Sequence, residues 1–202
     1  MELAILRDKI GYHGVSLALA TVLTGAALML ANHLTLPAIA QAAEDDLKAS
    51  LVQVLPEGMA DNNLLADTVS IDGLGGKPVT VYRGRKAGVY SAAVFQHRAR
   101  GYAGDIVILV GLNAEGVVQG VRVLKHAETP GLGDKIEVAK SPWVHAFEGK
   151  ALGTARWGVK KDGGEFDQFA GATITPRTVV KTVKEALEFY AAHRTEIAGE
   201  KP

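Results

Sequence analysis

The chain opens on an apolar run and only later settles into shorter alternating segments. Between Lys9 and Glu44 there is no Asp, Glu, Lys or Arg, and residues 15–31 are almost wholly apolar. With its flanks to Leu36 the run reaches the roughly 20 residues that span a bilayer as a helix. Behind an acidic start, Leu47, Leu51, Val54 and Leu55 recur at helical spacing, which predicts a separate amphipathic helix over 44–55, ended by Pro56-Glu57-Gly58. Residues 61–76 are polar and become Gly-rich, the composition of a loop. Strands are predicted over 79–83, 88–95, 106–112 and 117–124, the last two joined by Asn113-Ala114-Glu115-Gly116 as a hairpin turn. Another strand is expected over 155–160, turning at Lys161-Asp162-Gly163-Gly164, and a helix around 137–147. Finally Val179, Val180, Val183, Leu187, Tyr190 and Ala191 mark an amphipathic helix ending near Ala192. Thr175 is the expected cap of that helix and Pro176 its first residue, where a missing N–H costs nothing.

This order predicts an α+β chain: an N-terminal transmembrane helix, then a mainly antiparallel sheet with flanking helices. The expected divisions are 1–12 as a cytoplasmic N-terminus, 13–36 as the span, 37–76 as amphipathic helix and connecting loop, and 77–202 as one exported domain. Arg7 and Lys9 precede the span while Glu44, Asp45 and Asp46 follow it, so the positive-inside rule keeps the N-terminus cytoplasmic. A cleaved signal peptide is the competing reading, with Ala38-Ile39-Ala40 as its cleavage site. The apolar run exceeds the usual 7–15 residues of such peptides, which favours an uncleaved anchor. Gly25 and the alanines give the span small residues, which also suit close approach of another membrane helix.

Charge and composition narrow the chemistry. Lys and Arg together number 22, as do Asp and Glu, so nothing points to nucleic acid as a partner. There is no cysteine, which removes disulfides, iron–sulfur ligation and c-type haem attachment. The histidines lack metal-ligand spacing. Any redox centre is then organic, or held by His and carboxylates.

The candidate chemistry lies in three short segments. Asp167-Gln168-Phe169-Ala170-Gly171-Ala172-Thr173 leads, free of bulk, into the last helix. Thr173 thus stands beside a helix N-terminus, whose unpaired N–H groups and partial positive charge suit a phosphate. His126-Ala127-Glu128-Thr129-Pro130-Gly131-Leu132-Gly133 makes sense as a tight turn, and Gly101-Tyr102-x-Gly104-Asp105-Ile106 lies upstream. Read without further context, each is a turn: Glu128 bonds backbone N–H groups, Tyr102 belongs to core or sheet, and His126 is structural.

Together and in this order, over residues 89–189, the three resemble the FMN-binding domain family, shared by the G subunit of Rnf-type complexes and the C subunit of the sodium-pumping quinone reductase. The shorter segment between anchor and first motif is more similar to the former. Asp167-x-x-Ala170-Gly171-Ala172-Thr173 resembles the family's flavinylation motif, with Ala170 where Ser or Thr is usual. The resemblance implies one FMN esterified through its phosphate to Thr173 by a separate flavin transferase. It implies that Glu128, Thr129, Leu132 and Gly133 line the ring, and that Gly171, Ala172, Ile174 and Thr175 border the phosphate end. It further implies a single-pass protein of the bacterial inner membrane with its domain in the periplasm. There it would be an electron carrier beside other membrane subunits of a complex coupling ferredoxin and NAD oxidoreduction to ion movement. Two other classes stay open. One is an enzyme with Thr173 as nucleophile, which needs a base such as His126 or Lys181. The other is an anchored structural protein without flavin.

Overall fold

Alternation of apolar residues becomes a five-stranded antiparallel meander, in strand order β1-β2-β3-β4-β5. The computed structural model describes residues 10–74 and 77–199, so Arg7 and Lys9 of the expected topology lie outside the described residues. Contacts divide the chain into two units, Met1–Leu47 and Lys48–Pro202.

The first unit holds most of helix α1 (Ile10–Gln53), whose side chains are exposed over residues 11–46. Among the described residues α1 is the one helix long and apolar enough to cross a membrane. Its polar side chains turn inward on the backbone: the hydroxyls of Thr21 and Thr35 donate to the carbonyls of Leu17 and Ala31, each at 2.9 Å. The separate helix expected over 44–55 is instead the end of α1, which continues through Pro37. Residues 38–43 are mostly alanine, the best helix former, and one interior proline removes a single hydrogen bond without ending so long a helix.

In the second unit the strands are β1 (Thr68–Leu74), β2 (Lys77–Lys86), β3 (Val89–Arg100), β4 (Asp105–Asn113) and β5 (Val118–Lys125). The β4–β5 hairpin forms where expected. Asn113 Oδ1 accepts from the N–H groups of Glu115 and Val117, and Gly116 supplies the positive φ. Ile106, Ile108, Val110 and Leu112, two apart, face the main core with Val81, Phe95 and Val121. Helix α2 (Ile174–Ala198) covers this face through Val179, Val183, Leu187 and Tyr190. Phe95 meets Phe189 and Tyr190 edge-on, with centroids 6.0 Å away in each case.

The opposite face has its own cover. Tyr82, Val94, Gly111 and Gly120 are direct cross-strand partners in sequence, one row across four strands. The paired glycines leave a trough in which the Val54 backbone lies, and Leu51, Val54 and Leu55 are buried there.

Three local expectations give way to other structure. The loop expected over 61–76 contains β1, an edge strand that buries Ile71. The helix expected over 137–147 is replaced by 3₁₀ turns at Gly133–Ile136 and Pro142–Phe147, because Ser141 before a proline is extended (φ −159°, ψ 145°). The strand expected over 155–160 is irregular chain with one parallel bridge, Val159 to Phe166, followed by a 3₁₀ turn at Lys160–Asp162. Its aromatic residue packs sideways instead, with the Trp157 ring stacked on Phe147 at 6.3 Å.

Candidate functional site

Three turns meet at one end of the sheet. The first closes β3 to β4, with the Gly101 N–H donating to the Gly104 carbonyl at 2.8 Å. The second follows β5. Leu132 and Gly133 both donate to the Thr129 carbonyl at 3.1 Å, Pro130 takes the position that fixes φ, and Gly131 has φ +77°. The third precedes α2. The Ala172 N–H donates to the Phe169 carbonyl at 3.2 Å, and Gly171 (φ +80°) sits where only glycine is unstrained. Indole Nε1 of Trp143 anchors this turn by donating to the Asp167 carbonyl at 2.8 Å.

Glu128 ties the three together. It is buried, its Oε1 accepts from the Ala103 N–H at 3.1 Å, and its Oε2 accepts from the Thr175 hydroxyl. A Cβ on Gly101 would come within 2.5 Å of Oε1, and one on Gly133 within 2.9 Å of both Glu128 Cβ and Thr175 Oγ1. Glycine at these two positions is therefore the space that admits the carboxylate.

Thr175 is accordingly not the helix cap. The cap is Thr173, two residues earlier, with α2 starting at Ile174, and the Thr173 side chain makes no capping hydrogen bond. Pro176 consequently falls inside the first turn, where its missing N–H still costs nothing.

Behind the second turn is a polar brace. His126 Nδ1 accepts from the Glu128 N–H at 3.1 Å, which puts the ring proton on Nε2, 2.9 Å from Glu137 Oε1. Lys140 Nζ lies 2.8 Å from Asp134 Oδ2 and 3.2 Å from Glu137 Oε1. The hydrogen bond from His126, with help from Lys140 and against partial burial, holds the Glu137 carboxyl below its ordinary range. Asp134 is held down likewise, first by Lys140 and then by the Gly131 backbone. His126 thus has a structural place, as expected.

The three turns enclose a cleft of about 290 Å³. Glu128, Thr129, Leu132, Gly133, Gly171, Ala172, Thr173, Ile174 and Thr175 all line it. Tyr102 lines it as well, exposed at the tip of the first turn rather than in core or sheet. Its position between Gly101 and Gly104 is the signal that places it on a turn. Asp167 and Ala170 do not line the cleft. The Asp167 carboxylate pairs with Lys160 at 2.6 Å, and Ala170 is exposed. Of the bases expected for a Thr173 nucleophile, neither lines the cleft. Both His126 nitrogens are engaged, and Lys181 lies in a different cleft, near Glu185.

Residues 101–188 match the family model described as FMN-binding domain. Across most of the chain there are curated relatives. The G subunit of an ion-translocating oxidoreductase complex from Stutzerimonas stutzeri is 48% identical over 94% of this chain and 84% of its own. The namesake from Cereibacter sphaeroides is 43% identical over 94% and 88%. The chain belongs to this G-subunit family. Solved structures extend the likeness in fold alone. The C subunit of the Na(+)-translocating NADH-quinone reductase from Parabacteroides distasonis matches with a TM-score of 0.56 at 17% identity, over 79% of this chain and 97% of that one. NqrC of Shewanella oneidensis gives 0.51 at 20%, over 69% and 76%. In this member of the G-subunit family the three turns that form the cleft fall within the matched FMN-binding domain.

The cleft fits such a group. Its wall offers Tyr102, Leu132 and Ile174 as exposed apolar surface, and its end is a helix N-terminus whose cap hydroxyl makes no capping hydrogen bond. Cβ atoms at Gly133 and Gly171 would crowd Glu128, Thr175 and Leu132, so the close walls depend on glycine.

Proposed function

We propose that this chain is the membrane-anchored electron carrier of an ion-translocating oxidoreductase complex and holds one FMN, esterified through its phosphate to Thr173. The observation that carries the reading is the Thr173 hydroxyl, which makes no capping hydrogen bond at the N-terminus of α2 and, by lining it, borders a cleft with an apolar wall. Such helix ends favour phosphate through unpaired N–H groups and partial positive charge. When bound, FMN supplies reversible electron uptake; the protein supplies place and polarity.

Thr173, Ala172 and Gly171 hold the phosphate end, with Ile174 and Thr175 beside it. Glu128, Thr129, Leu132 and Gly133 border the ring. A cleft of about 290 Å³ lies at the lower end of ligand cavities, so part of the group stays at the surface, where electrons can pass to neighbouring subunits. A covalent tether suits a carrier outside the cytoplasm, where a dissociable cofactor would be diluted away.

In this reading α1 crosses the inner membrane once, with its N-terminus cytoplasmic and the second unit periplasmic. The complex couples ferredoxin and NAD oxidoreduction to ion movement, and a separate flavin transferase attaches the FMN.

The test uses protein from its native membranes, run on a denaturing gel under ultraviolet light, then peptide mass analysis. A fluorescent band and a Thr173 peptide heavier by one FMN less one water support the tether. A dark band with an unmodified peptide sinks it.

A further inference from the structure

The geometry points to a role for Glu128 beyond shaping the cleft: its carboxylate holds down the electron affinity of the site. This rests on the FMN reading above. Glu128 lines the cleft and is 5% exposed, so its charge is poorly screened. Each of its oxygens accepts a hydrogen, from the Ala103 N–H and from the Thr175 hydroxyl.

Among the described residues no Lys, Arg or His forms an ion pair with it. The nearby His126 offers Glu128 only an acceptor nitrogen for its backbone N–H, and its other nitrogen faces Glu137. Lys140 is taken up by Asp134 and Glu137. The first turn of α2, a partial positive end rather than a full cation, meets it through the Thr175 hydroxyl.

An electron arriving in the cleft adds one negative charge unless a proton comes with it. A fixed carboxylate on the wall opposes that addition and lowers the reduction potential. Glu128→Gln removes the charge and nearly keeps the shape, its oxygen accepting from the Ala103 N–H and its NH2 donating to the Thr175 hydroxyl, which can accept. Gly101 and Gly133, which leave room for the carboxylate, leave room for the amide as well.

The experiment is an equilibrium reduction of the full-length, flavin-loaded chain in detergent, against a reference dye of known potential. Wild type, Glu128→Gln and Glu128→Asp are compared. Expected is a shift of the Gln variant toward the reduced form by about tenfold, equivalent to 59 mV for one electron, with the Asp variant close to wild type. An unchanged potential in Glu128→Gln, with flavin attached, overturns the inference and leaves the FMN reading intact.

A second readout needs no variant. Reduction of wild type labelled with ¹³C-glutamate should shift an infrared carboxylate band, and a spectrum without that shift overturns the inference even where the Gln variant fails to fold. Wild type that carries no flavin overturns the FMN reading and this inference together.

Discussion

The Thr175 hydroxyl donates to the Glu128 carboxylate across 47 residues of sequence, joining the first turn of α2 to the turn after β5. Both residues are buried, so water replaces a lost bond poorly. Thr175→Val keeps the shape and deletes the donor. The expected cost is about 1–3 kcal/mol, the range for leaving a buried polar group unsatisfied. Urea unfolding of the full chain in detergent reads it, and Thr175→Ser should recover most of the loss. A valine variant as stable as wild type would mean that the bond contributes nothing net.

Thr173 makes the opposite prediction. Its side chain is half-buried and caps nothing, so Thr173→Ala should leave stability within about 0.5 kcal/mol of wild type. Covalent flavin should vanish from the alanine variant and survive in Thr173→Ser, which keeps the hydroxyl. Flavin that stays on Thr173→Ala through denaturation would refute the attachment site.

The contrast between these two threonines shows where sequence is legible and where it is not. The residues that the family resemblance names line one cleft; what the sequence shows locally is only the tight turns, built on Pro130, Gly131 and Gly171. The division of labour between Thr173 and Thr175 depends on Glu128, far off in sequence, and no local rule selects which hydroxyl caps. The place of Tyr102 is hidden for a related reason. An aromatic residue is ordinarily core, and only the flanking glycines signal a turn tip. The antiparallel sheet follows from alternation in β2 to β5, whereas β1 is a short edge strand in which Ile71 is buried between polar Ser70 and Asp72. The helix expected over 137–147 fails because side chains on 3₁₀ turns, Trp143, Val144 and Phe147 among them, fill the same core. The continuity of α1 is not legible because an acidic stretch such as Glu44-Asp45-Asp46 suits a helix end and an exposed helix interior equally well.

The trough on the second face predicts a packing defect. A Cβ on Gly111 would run into the Val54 carbonyl, and one on Gly120 would stand 2.9 Å from Val54 Cα. The neighbours here are backbone atoms and cannot rotate away. Gly120→Ala should cost about 1–3 kcal/mol, as overpacking usually does, and Gly111→Ala at least as much. Proteolysis near residues 48–55 should rise with it, because the segment is lifted from the sheet. Gly149→Ala is the control: its φ of +74° is strained for alanine, but a Cβ there meets nothing, so proteolysis at 48–55 should not change. Equal proteolysis in wild type and both trough variants would show that the segment is not held by this contact.

Asp67 gives the chain an acid-sensitive fastening. Its Oδ1 accepts from Arg83 Nε at 2.6 Å and its Oδ2 from Arg85 Nε at 2.6 Å, pinning the segment before β1 to β2. Burial pushes the Asp67 carboxyl up, but the bonds from Arg85 and Arg83 outweigh it and hold the group below its ordinary value of 3.8. A depressed carboxyl stabilises the fold fully above its unfolded pKa, and the contribution fades as pH falls through the folded one. Asp67→Asn should therefore be less stable than wild type at neutral pH, by about 1–3 kcal/mol for hydrogen bonds to a charged group. That difference should hold from pH 7 to about 5 and shrink below about 4, where the unfolded carboxyl takes up its proton first. Urea unfolding of both chains across this range measures it. A difference that stays constant to the lowest pH at which the chain folds would mean the carboxylate charge is not what fastens Asp67 to the two arginines.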